Sequence, residues 1–191
     1  TTCMDANETL VLAKEMQKQD LDAVQILPNG YDRDFIRANA EFFEGSYVAP
    51  QFLAFEHGPI PEQDDFERWI AEIDKPTYEV TVIGWILARM FVEGLALAGP
   101  EFTQAGVVGG LNTLTDYAAN GMIVPIDWTK QHQDPARNPD ADSDLECANV
   151  VQVRDGEFVP VFADGDDPWV CFENNAPELT RIDNMSFVPE E

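Results

Sequence analysis

Leu21-Asp-Ala-Val-Gln-Ile-Leu-Pro-Asn-Gly-Tyr-Asp32 decides the fold class. Residues 23–27 form a short apolar run with the length of a buried strand. Pro28-Asn29-Gly30 ends it with turn chemistry, because proline fixes one backbone angle and Asn-Gly tolerates the left-handed region. Asp34 then has the character of a helix cap, predicting a short helix through Ala40, and residues 45–50 form a second short strand ended by Pro50. Strand, turn, helix and strand within thirty residues make the repeating unit of an α/β protein, with three layers around a largely parallel sheet.

The flanks extend that alternation. Asp5-Ala6-Asn7-Glu8 has the spacing of a capping box, and Leu10, Leu12, Ala13 and Met16 mark the inward stripe of the helix it opens. Residues 54–61 form a loop broken by glycine and proline. Phe66, Trp69, Ile70 and Ile73 then fall at i, i+3, i+4 and i+7, predicting an amphipathic helix. Thr103 caps a further helix with Val107, Leu111 and Leu114 inward, expected to end near Asn120-Gly121, and residues 122–126 are expected to form a strand. Residues 131–146 are polar loop. Val150, Val151 and Val153, then Asp155-Gly156, then Phe158, Val159, Val161 and Phe162 predict a C-terminal β-hairpin, in which Pro160 places the return strand at an edge or turns its backbone nitrogen outward.

Residues 80–99, VTVIGWILARMFVEGLALAG, are long enough to span a bilayer. Arg89 and Glu93 sit near the centre, where each charge costs roughly 2.5–3.5 kcal/mol, and four-residue spacing lets them share one water-facing side. Gly99-Pro100 stops the helix. The expectation is a mostly buried helix of a soluble protein.

The 191 residues fit one or two domains, at about 150 residues each. The 36 acidic against 11 basic side chains give a charge of −25, which repels phosphate backbones and anionic membranes, so no nucleic-acid partner is expected. Three cysteines without a CxxC pair and two distant histidines, His57 and His132, support neither a structural zinc site nor a catalytic triad, so no metal, cofactor or catalytic residue is assigned. Asp140-Ala-Asp-Ser-Asp144 begins like a calcium loop but has Leu145 and Val151 where glycine and glutamate belong. It is expected, like the acidic run 164–167, to be a solvated loop. The glycines of residues 106–110 lack the spacing of a dinucleotide fingerprint.

Leu21 to Asp32, then Phe43-Glu-Gly-Ser-Tyr-Val48, Met122-Ile-Val-Pro-Ile-Asp-Trp128 and the hairpin resemble the extracellular solute-binding proteins of ABC transporters of the branched-chain amino-acid type. The resemblance covers roughly residues 1–165 and lies in the order of elements. It implies two α/β lobes of a type I periplasmic-binding-protein-like fold, closing on a solute, with this chain as the second half only. Residues 1–47 would then be part of the C-terminal lobe and residues 48–124 the helical layer of the N-terminal lobe. Residues 125–172 would return to the C-terminal lobe, ahead of an acidic tail over 173–191. Ser46, Tyr47 and Val48, and later Pro125 and Asp127, match crossing segments, hence hinges.

Ligands of open α/β sheets sit beyond the carboxyl ends of strands. By resemblance Asn29 matches a position that contacts the polar head of the ligand. Gly30 shapes that turn and Tyr31 offers a flat apolar wall, although Asn-Gly is also explained as turn chemistry alone. Met4 and Asp5 follow a strand whose earlier part is absent; Asp5 suits an ammonium group, and equally caps its helix. In an exported protein a Cys147–Cys171 disulfide would fasten the segment after the hairpin, for about 3 kcal/mol, leaving Cys3 free or paired with the absent half.

The function this implies is extracytoplasmic binding of an amino acid or related carboxylate, with an ABC importer's membrane subunits and the absent N-terminal half as partners, and no enzymatic activity. Two rivals stand beside it: a hydrolase using paired acids on a related scaffold, and a cytosolic ligand-sensing domain of a regulator.

Overall fold

Asp5 accepts a hydrogen bond from the Glu8 backbone N–H at 3.0 Å and so opens helix α1 (Ala6–Lys18), with Thr9 and Ala13 buried. The computed structural model describes residues 4–21, 23–100, 102–131, 145–162 and 168–173. Cys3, His132, the acidic runs at 140–144 and 164–167 and the tail beyond Glu173 lie outside the described residues.

After β1 (Ile26–Leu27) and its turn come α2 (Arg33–Ala38), α3 (Ala40–Phe43) and β2 (Tyr47–Val48). The cap of α2 is Asp32, whose carboxylate accepts from Phe35 N at 3.0 Å; Asp34 instead stands in the first turn, 3.3 Å from Arg37. The expected cap is thus shifted by two residues, because a cap needs extended backbone and Asp32 has it. A 3₁₀ turn (Phe55–His57) leads to α4 (Pro61–Glu72), α5 (Glu79–Ala98) and α6 (Gln104–Leu111). Thr103 caps α6 by accepting from Gly106 N at 3.1 Å. That helix stops well before Asn120, since three glycines weaken it and the Thr113 hydroxyl donates to the Gly110 carbonyl at 2.7 Å. Residues 122–126 form no strand: Pro125 lacks a donor, and only Ile126 bridges Tyr117. The chain continues through β3 (Leu145–Ala148), β4 (Val151–Arg154), β5 (Glu157–Pro160) and β6 (Val170–Glu173).

The expected α/β class is the one observed, but the sheet is mixed rather than largely parallel, because the hairpin strands join it antiparallel. A four-stranded sheet runs β1-β2-β4-β5, with β1 and β2 parallel, and β2/β4 and β4/β5 antiparallel. The hairpin forms as expected, with Asp155 and Gly156 both at positive φ (53° and 75°), the mirror-image turn that matches strand twist. Pro160, opposite Val151, lies on edge strand β5. β3 and β6 pair as a separate two-stranded sheet, joined by a Cys147–Cys171 disulfide.

The chain divides into two compact units, Thr1–Val82 with Ala148–Trp169, and Ile83–Cys147 with Val170–Glu191. Residues 52–66 contribute Phe52, Leu53, Ala54 and Phe66 to the core of the first unit. There Tyr31 stacks on Phe158 (5.0 Å between centroids, 8° between planes) and meets Phe52 edge-on at 5.2 Å, while Phe55 meets Phe66 at 5.8 Å. Leu27, Ile36, Phe43, Val48, Val151 and Val153 are among the other buried residues, each worth roughly 1.5–3 kcal/mol.

In the second unit Leu97 lies against Gly110, and Val107 and Leu111 lie against Gly94, where a Cβ would have no room. The rest of α5 departs from the expected buried helix. Only 11% of its most apolar window is buried, and Val80, Leu87, Phe91 and Val92 are exposed. By length and composition it is also the one helix among the described residues able to cross a membrane. The α4 stripe divides in the same way, Phe66 buried but Trp69 and Ile73 exposed by 53% and 62%. Periodicity reports an apolar face, and not what covers it.

Candidate functional site

The turn after β1 is held by Gly30 N–H donating to the Leu27 carbonyl (3.2 Å) and Asp32 N–H to the Gly30 carbonyl (2.9 Å). Gly30 is required there, since a Cβ would fall 2.6 Å from the Leu27 Cβ. The turn brings Asn29 and Gly30 to the N-terminal end of α1. Together with Met4, Ala6, Thr9, Leu27, Phe35, Ile36 and Phe43 they line a small concavity of about 10 Å³. That is room for about one water. Asn29 is exposed at its rim, with a side-chain amide that makes no hydrogen bond among the described residues.

Of the expected ligand residues, then, Met4, Asn29 and Gly30 come together. Asp5 is exposed outside the lining, its carboxylate occupied by the α1 cap. Tyr31 is a correction: its ring is fully buried and presents no wall, because the turn drives it inward onto Phe52 and Phe158. Ser46 is buried, and Tyr47 and Val48 sit inside the sheet of the first unit between β1 and β4. Pro125 and Asp127 belong to the second unit, where Asp127 accepts from Thr129 N at 3.0 Å.

Behind the turn lies a polar network that local sequence does not announce. Tyr31 donates its hydroxyl hydrogen to Glu56 Oε2 (2.8 Å) and accepts from Phe55 N (3.0 Å). Arg33 Nε donates to Glu56 Oε1 at 2.7 Å, and the guanidinium lies 5.3 Å from the Phe55 ring centroid and 3.6 Å from Glu67. Burial, reinforced by the Glu56 charge, pushes the Tyr31 phenol far above its ordinary value, so it stays a donor. Next to Glu56, His57 Nε2 is 2.8 Å from Asn149 Nδ2. His57, expected as a surface residue, is half-buried, and burial lowers its pKa. Its partner is 92 positions away, beyond the reach of any spacing rule.

These groups position and hold. Among the described residues no three His, Cys, Asp or Glu side chains gather as metal ligands.

The model of the family described as "periplasmic binding protein" matches residues 1–157. The chain belongs to the periplasmic binding protein family. No curated protein matches it. Among solved structures it is similar to a leucine binding protein from Thermotoga maritima, at TM-score 0.58 and 13% identity, over 81% of this chain and 41% of that one. It is similar too to a branched-chain amino acid ABC transporter protein from Thermus thermophilus with bound valine, at 0.59 and 17%, over 80% and 42%. A type 1 periplasmic binding protein from Bordetella pertussis aligns at 0.50 and 12%, over 92% and 43%. This chain therefore spans about two-fifths of the length of those proteins. As a member of the periplasmic binding protein family it has the type I fold, and the family is one of binding proteins rather than enzymes.

Proposed function

We propose that the chain supplies one wall of an extracytoplasmic solute-binding cleft, taking an amino acid or related small carboxylate for an ABC importer. The observation that carries this reading is the turn after β1, which sets an exposed, unengaged Asn29 amide beside Met4 and Thr9 at the N-terminus of α1. An amide serves either pole of a zwitterion, and a helix N-terminus favours its carboxylate. The leucine and valine named for two similar structures make branched-chain amino acids the first solutes to try.

The concavity is too small to enclose such a molecule, and the structures this chain resembles are about twice its length. The opposing wall therefore comes from the other half of the fold. Closure of the two walls on solute follows from contacts that exist only in the closed state. In this reading Ser46–Val48 and Pro125–Asp127 lead into the crossings about which the halves bend.

Titrating leucine, valine and glutamate into the isotope-labelled chain tests the assignment. The expected result is weak binding, with a Kd on the order of millimolar for one wall, and amide shifts confined to Met4, Thr9, Asn29 and Gly30. Asn29→Ala abolishes those shifts while leaving the rest of the spectrum in place. Shifts elsewhere, or an unaltered titration in the Asn29→Ala chain, would overturn it.

A further inference from the structure

Asn149 is fully buried just after β3, and its side chain ties three pieces of chain together. Its Oδ1 accepts from Ala54 N at 3.1 Å, while its Nδ2 donates to the Pro168 carbonyl at 2.7 Å and lies 2.8 Å from His57 Nε2. We propose that His57 and Asn149 form an acid-sensitive tie between the 3₁₀ turn Phe55–His57, the entry to β4 and the segment before β6.

The argument begins with two groups that have no choice. A backbone N–H donates and a proline carbonyl accepts, so Ala54 and Pro168 fix which end of the Asn149 amide carries oxygen. The NH2 end then faces His57, and an NH2 has no lone pair to offer. His57 Nε2 must accept, which places the ring proton on Nδ1 and makes the imidazole neutral. Adding a second proton sets N–H against N–H at a buried site. Asn149 can then keep its place only by giving up Ala54 or Pro168, each of which would leave a polar backbone group unpaired.

The charged surroundings do not rescue the protonated form. Glu56, on the same turn, attracts a proton, but its two oxygens are already engaged by the Tyr31 hydroxyl and by Arg33, whose cation opposes it. Glu67 on α4 faces Arg33, and Glu157 on β5 is paired with Arg37. Burial is the largest influence on the ring, and it favours the neutral form that the Asn149 geometry requires. A group held neutral by folding stabilises the native chain above its unfolded value near 6.5, and that contribution is lost as pH falls through the lower folded value.

The test combines one spectrum with two variants. Long-range proton–nitrogen correlation on the intact chain should show His57 with its proton on Nδ1 at neutral pH, titrating below the ordinary histidine value. Between pH 7 and pH 5 the unfolding midpoint of the wild type should fall relative to that of His57→Gln, whose carbonyl accepts without titrating. His132→Gln should follow the wild type. An Nε2–H tautomer or titration at or above the ordinary value would overturn the tie, and so would a constant difference in midpoint between His57→Gln and the wild type across that range. The wild-type spectrum decides the matter even if that variant fails to fold.

Discussion

Glu79 shows what one buried residue does to a stability profile. It opens α5, its backbone N–H donates to the Tyr31 carbonyl at 2.8 Å, and its side chain is 5% exposed with Oε2 lacking a partner among the described residues. Burial raises its pKa to about 7, so the native chain keeps a proton that the unfolded chain releases at the ordinary value of 4.5. The native state binds the extra proton between those values. The stabilisation is therefore complete below pH 4.5 and is lost as pH rises through about 7. Glu79→Gln, which keeps shape and cannot ionise, should flatten the decline between pH 5 and pH 8. Urea midpoints across that range check it, and the trend opposes the one ascribed to His57, so each variant removes one arm of the profile. Nothing local in the sequence marks Glu79; a first-turn glutamate is ordinarily a solvated partner of the helix dipole.

At the scale of elements, the hairpin was the most legible part of the chain, because its turn chemistry and strand pattern are local. Asp155-Gly156 needs positive φ at both positions, and valines alternate on either side. What the sequence did not disclose is where the turn docks. A Cβ on Gly156 would lie 3.0 Å from the Ala40 Cβ, and Arg37 reaches Glu157 through two hydrogen bonds of 2.8 and 2.9 Å. Gly156→Ala therefore combines a strained φ with a close contact, and should cost about 1–2 kcal/mol in denaturant titration. Asp155→Asn, tolerated at the same turn position, should cost far less. The candidate site divides along the same line. The Asn29-Gly30 turn was readable from its dipeptide, whereas the inward path of Tyr31 and its meeting with Glu56 depend on contacts 24 and 25 residues away. The exposed face of α5 failed for a related reason, since an apolar stripe fixes a helix and leaves its covering to tertiary structure.

Over the whole molecule, the Cys147–Cys171 disulfide acts where pairing is weakest. The chain leaves the second unit after Cys147 and re-enters it at Val170, and the intervening residues, hairpin included, belong to the first unit. Among the described residues β3 and β6 form a two-stranded sheet, which is marginal in water without support. The bond spans a separation of 24 residues, so in the chain-entropy account it removes about 3–4 kcal/mol of unfolded-state freedom. Reduction should lower the unfolding free energy by that order, and hydrogen exchange should rise first at β3 and β6. Cys147→Ser with Cys171→Ser should match the reduced wild type and show no further response to reductant. Thiol titration under denaturing conditions should count two more thiols after reduction than before. An oxidised and a reduced chain with the same midpoint would mean that the strand pair holds without its cross-link.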